Sequence, residues 1–119
     1  MAMVIVNGEL QGDSDATGGW GSASAVTIQG GAISAPNPGV YAVDTEDAAA
    51  SDDLDTINGG SEGDVIVLKL ANDAHNVVLK DGVDNLDLLG LDITLDTTNQ
   101  RVKLQKDSSG NWVEFSSRP

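Results

Sequence analysis

The sequence contains no cysteine, which excludes a disulfide framework and a thiol nucleophile and fits assembly in a reducing compartment. It has one histidine, His75, so no metal site built on two imidazoles exists and no second imidazole can relay a proton to it. Aromatic residues number four, Trp20, Tyr41, Trp112 and Phe115; a core must therefore come from Val, Ile and Leu, and it is small. The apolar fraction is 39 %, below the usual ~45–50 % of globular domains. No stretch approaches the ~20 apolar residues that a membrane-crossing helix needs. The opening Met1-Ala-Met-Val-Ile-Val6 lacks a basic region and is too short for a secretory signal, so a soluble chain with no readable address is expected. At 119 residues the expectation is one domain with an arm. A domain of this size buries a modest share of its surface, so support from a partner subunit is expected.

Basic residues are also missing from one half. Residues 1–64 hold eleven acids (eight Asp, three Glu) and no Lys or Arg, whereas residues 65–119 hold eight acids and six bases. Nearly all of the net charge of −13 thus sits in the first half. Nucleic acid is excluded as a natural partner, because phosphate binding needs a basic face. Two readings remain: an acidic half steered to a basic surface, or a merely well-solvated exterior.

What is present reads as β structure. Met3–Val6 is a strand candidate closed by Asn7-Gly8. Residues 11–24 are rich in Gly, Ser and Asp and offer only Trp20 for packing; they are read as an arm lying on a neighbouring subunit. Short strands follow at 25–29 and 32–34, then Ala35-Pro-Asn-Pro-Gly39, which forbids helix, then a strand at 40–43. Thr45 could cap one helical turn through Ala48-Ala49-Ala50, but Asp52 and Asp53 at its end oppose the helix dipole. From Leu54 the period is two: Ile66, Leu68 and Leu70 share a face, as do Val77/Leu79, Leu86/Leu88, Ile93/Leu95 and Val102/Leu104. Asp81-Gly82 predicts a hairpin turn, and a last strand at 112–116 follows the Ser109-Gly-Asn111 turn. Turn residues every 8–12 positions or so predict an all-β fold, a small antiparallel sandwich or barrel. The organisation expected is an extended arm (1–24), short strands with an acidic linker (25–53) and a β domain (54–119).

Chemistry finds little to use. A Ser-His-Asp arrangement would need His75 as base, yet His75 falls in a predicted turn, where an exposed structural histidine is the alternative. Paired carboxylates could hydrolyse sugars only with one of them desolvated in a cleft, and most of these acids adjoin Gly, Asn or Ser, where Asp serves as a turn former. Gly59-Gly-Ser-Glu-Gly-Asp-Val-Ile-Val67 is superficially similar to the nonapeptide calcium repeat, but one spacing is off and no tandem copy follows. Asp52, Asp53 and Asp55 could hold a divalent ion, or be turn acids. The chain carries no phosphate-binding glycine loop or dinucleotide fingerprint. No catalytic residue, metal or cofactor is therefore expected.

One ordered set of motifs points further. Asp52-Asp-Leu-Asp-Thr-Ile-Asn-Gly-Gly60 leads into Gly63-Asp-Val-Ile-Val-Leu68, then Ala71-Asn-Asp-Ala74, Val77-Val-Leu-Lys-Asp-Gly82, Asn85-Leu86, Thr94-Leu-Asp96 and Gly110-Asn-Trp-Val-Glu114. In this order the pieces, covering residues 40–117, resemble a β-structured module of tailed-bacteriophage virion proteins. The resemblance implies a non-enzymatic virion component. Tail fibres and spikes are usually long chains, so a short chain with an arm looks more like a capsid decoration (cement) protein, a class that typically forms trimers on the outer shell. The expected partners are then the major capsid protein and two further copies of the chain, with neither nucleic acid nor membrane. The expected location is the capsid exterior, after assembly in the host bacterial cytoplasm. Met3, Val4, Ile5, Val6 and Trp20 are the expected contact residues, through strand addition to a neighbour and an aromatic anchor. The alternative is a tail-fibre or tail-tip module that touches a host receptor.

Overall fold

Short apolar runs, interrupted every few residues by Gly, Pro, Asn or Asp, cannot sustain long strands. In the computed structural model, which describes residues 22–115, they form eleven short ones. These are β1 (Ser24–Thr27), β2 (Ala32–Ser34), β3 (Gly39–Asp44), β4 (Ser51–Leu54), β5 (Thr56–Asn58), β6 (Val65–Leu70), β7 (Asn76–Leu79), β8 (Leu86–Asp87), β9 (Ile93–Leu95), β10 (Val102–Lys106) and β11 (Trp112–Glu114). The protein is all-β, as its alternation predicts. The expected strand at Met3–Val6 and most of the arm lie outside the described residues.

The pairing differs from an antiparallel sandwich. Five of the eight strand pairs among the described residues run parallel: β1 with β3, β3 with β6, β2 with β5, β4 with β7, and β8 with β11. The chain winds as a short solenoid whose successive turns visit the same faces. The first turn supplies β1 and β2, the second β3, β4 and β5, and the third β6 and β7, so β3, β5, β6 and β7 each lie on a counterpart from the turn before. The reason is in the corners. Asn58-Gly59-Gly60, with φ of +94° and +82° at the two glycines, directs the chain onward to the next turn instead of back along β5. A glycine-rich corner and a hairpin turn use the same residues, so composition cannot separate them.

Asp81-Gly82 illustrates the same point. The predicted hairpin does not form there: β7 takes β9 as its antiparallel partner, and β8 pairs with β11. Ser109-Gly-Asn111 does join an antiparallel pair, β10 and β11. These last strands close the end of the solenoid, with β10 antiparallel to β6 and β9 antiparallel to β7. Residues 25–53 and 54–115 share sheets throughout the stack.

Register stacks like on like. Tyr41 lies over Leu68 and Val43 over Leu70; Leu54 is matched to Leu79, and Ile33 to Ile57. The inward face of β6 predicted from its alternation, Ile66, Leu68 and Leu70, is fully buried. Trp112 is fully buried as well and is the largest side chain in the core. The expected helical turn is a single 3-10 turn, Glu46–Ala48. Thr45 does not cap its N–H groups; the hydroxyl instead donates to the Ala49 carbonyl at 2.6 Å. Asp47 and Ala48 take left-handed φ of 55° and 57°, which no α-helix can propagate.

Candidate interaction surfaces

Met3, Val4, Ile5, Val6 and Trp20, the contact residues expected from the sequence, lie outside the described residues. What can be built from the residues upward is the motif cluster, the acidic corner and one exposed loop.

The separated motifs converge on Ile57 in β5. Asn85 Oδ1 accepts from the Ile57 N–H at 3.0 Å, and Asn85 Nδ2 donates to the Ile57 carbonyl at 2.8 Å. One side chain thus serves β5 as the next strand would. The Trp112 indole N–H donates to the same carbonyl at 3.2 Å, and the Trp112 backbone N–H to the Asn85 carbonyl at 2.7 Å. Gly60 makes room for the ring: a Cβ there would lie 2.8 Å from Trp112 Cζ2. Lys106 Nζ donates to the carbonyls of Gly59 and Gly60 at 2.8 and 3.3 Å and sits 5.7 Å from the indole centroid. Through these contacts the motif residues hold one another in place.

Two acids of the first half, Glu46 and Asp52, brace corners between turns. Asp52 accepts from the N–H groups of Glu46 and Asp53, both at 2.9 Å, and Glu46 Oε1 accepts from the Gly30 N–H at 3.0 Å. Among the described residues no three His, Asp or Glu side chains are grouped to hold a metal ion. His75 is not the exposed turn residue the sequence suggested. Its side chain is 19 % exposed and its Nδ1 lies 2.7 Å from Asp44 Oδ1. A carboxylate only accepts, so Nδ1 carries the proton. This hydrogen bond is the main reason the Asp44 carboxyl is held below its ordinary value, with the Thr45 N–H assisting. Among the described residues no hydroxyl bonds the imidazole, so the third member of a nucleophilic triad is not placed beside it.

Sequence reasoning missed the loop after β7. It read Leu86 and Leu88 as core, and both are 2 % exposed. Yet Val83, Leu89 and Leu91 stand 60, 68 and 76 % exposed. The available signal was Leu88-Leu-Gly-Leu91, which breaks the period of two. The loop is well braced. The Asp81 N–H donates to Asp92 Oδ1 at 2.8 Å, Asp81 Oδ1 accepts from the Leu88 N–H at 2.7 Å, and the Gly82 N–H donates to the Leu86 carbonyl at 2.9 Å. Lys80 Nζ pairs with Asp92 Oδ2 at 3.0 Å. The Asp81 N–H, and then Lys80, hold the Asp92 carboxyl below its ordinary value. Asp81, Asp84 and Asp87 line a shallow groove of about 260 Å³ with Gly82, Leu86 and Asn111.

No helix among the described residues is long and apolar enough to cross a membrane. No protein-family model matches the sequence, and no curated protein matches it.

Proposed function

We propose that this chain is a structural, non-enzymatic component of a tailed-bacteriophage virion, a capsid decoration protein that binds the outer shell as a homotrimer and stabilises it. The observation that carries the proposal is the division of charge: eleven acids and no base in residues 1–64. A half-chain of one sign is suited to a basic protein surface and steers its own encounter with it. The ordered motifs of residues 40–117 support a virion role by resemblance, and the structure gives those motifs a packing role in the solenoid. In this reading the arm adds Met3–Val6 as a strand to a neighbouring capsid subunit, and Trp20 fills an apolar pocket. Each contact is weak, and repetition over the shell supplies avidity against the pressure of packaged DNA. The partners are the major capsid protein and two copies of the chain, assembled in the host cytoplasm on the capsid exterior; neither nucleic acid nor membrane takes part.

Co-sedimentation with undecorated heads, with tails as comparison, tests this. Saturable binding to heads in multiples of three is expected. Removing residues 1–22, which stops short of β1, should abolish it while the β fold persists. Retention of binding by the truncated chain would sink the arm mechanism.

A second reading, a tail-fibre module, is favoured by one feature. Among the described residues β1, β2 and β4 each have one unpaired edge, all at the N-terminal end of the stack, where a longer solenoid would continue. Binding to tails or host cells alone would select it.

A further inference from the structure

Three large aliphatic side chains within nine residues, Val83, Leu89 and Leu91, face solvent on a loop that hydrogen bonds hold rigid. Leu89 is also strained: its φ is +62°, a region that costs a residue with a Cβ and that Asn, Asp or Gly occupies more easily. The neighbouring Gly90, at φ +98°, meets the same demand without cost. Asp87 Oδ1 accepts from the Leu89 N–H at 3.2 Å and helps to hold this conformation. A leucine kept strained and exposed on a braced loop does nothing for the isolated fold; it has a use when another surface covers it.

The charge beside it selects the occupant. Asp81, Asp84 and Asp87 line the adjoining groove. Lys80, the one base on the loop, is engaged with Asp92. A second copy meeting this patch through the same patch would set these carboxylates against themselves. We propose that residues 80–92 form a second docking surface, separate from the arm, whose occupant is a partner protein with an apolar depression for Leu89 and Leu91 flanked by Lys or Arg reaching the aspartate groove. The inference rests on the assembly reading above and gives it a contact outside the base-free residues 1–64.

The test compares wild type, Leu89→Asp/Leu91→Asp and Leu89→Gly in co-sedimentation with undecorated heads, tails and host envelopes, with sedimentation velocity on each protein alone. The double variant should bind the assembly that wild type binds about tenfold more weakly or worse. Leu89→Gly should weaken binding too while melting no lower than wild type, because glycine relieves the strained φ; a role confined to folding would instead lower its melting temperature. Wild-type binding should also weaken as salt rises. If wild type binds and both variants bind equally well, the surface is wrong and the assembly reading stands. If wild type binds none of the three assemblies, both fall. A change of oligomeric state in the double variant would make this face a self-contact and overturn the proposal.

Discussion

Gly60 and Trp112 offer the sharpest test of the packing, because the structure gives the cost of each change separately. Replacing Gly60 by Ala does two things. It puts a Cβ on a residue at φ +82°, which costs about 1–2 kcal/mol. It also places that Cβ 2.8 Å from Cζ2 and 3.0 Å from Cη2 of an indole with no exposed surface to retreat into, and overpacking of this kind costs about 1–3 kcal/mol. Together Gly60→Ala should lose about 2–5 kcal/mol, leaving a folded but weakened domain if its stability is in the usual range of about 5–15 kcal/mol. Trp112→Phe removes the two ring atoms that clash. It also removes the indole N–H, but the Ile57 carbonyl keeps its bond from Asn85, so no buried acceptor is orphaned. In the Trp112→Phe background only the backbone part of the Gly60→Ala cost should remain, giving a coupling of about 1–3 kcal/mol in a double-mutant cycle. Urea unfolding followed by far-UV circular dichroism reads all four proteins. An equal Gly60→Ala penalty in both backgrounds would refute the contact and leave the backbone conformation as the whole effect.

Other outcomes follow from the same geometry. Asn85→Ala leaves the Ile57 N–H without its acceptor and should cost about 1–3 kcal/mol, with hydrogen exchange at that amide accelerated; an unchanged rate would show that the amide has another partner. The Asp44 carboxyl titrates below its ordinary value of 3.8, so its contribution to stability is present in full above about pH 3.8 and is lost as pH falls through the lowered folded value. Asp44→Asn should therefore flatten the acid limb of the urea-midpoint profile, and an identical limb would remove this pair from the account. Trp112→Ala should cost about 3–5 kcal/mol; a melting temperature like that of wild type would contradict its burial.

Local alternation was enough to read β structure, because a period of two puts Ile66, Leu68 and Leu70 on one face whatever lies beyond it. It was also enough to place the Ser109-Gly-Asn111 turn before the last strand, although that this turn joins β10 and β11 as an antiparallel pair came only from the structure. It failed for β4 and β5. Ser51–Leu54 and Thr56–Asn58 are polar segments whose strand character comes from neighbours one solenoid turn away, β7 and β2. His75 was read as exposed because its partner Asp44 is remote in sequence and adjacent only once β3 and β6 stack. The exposed loop was missed because burial of a leucine cannot be read from its identity: Leu88 and Leu89 are neighbours, and one is buried while the other is not.

By itself the sequence determined the all-β class, the inward faces of the longer strands, the one-sided charge of residues 1–64 and the absence of thiol chemistry. These are properties of composition and nearest neighbours, and they hold in any arrangement of the strands. Only the tertiary structure decided that the strands run mostly parallel, that Asn85 and Trp112 meet at Ile57, and that Leu89 and Leu91 face water. Each of those depends on where a glycine corner sends the chain next. A glycine permits several directions at nearly equal local cost, and the choice among them is made by the stacking of side chains far apart in the sequence.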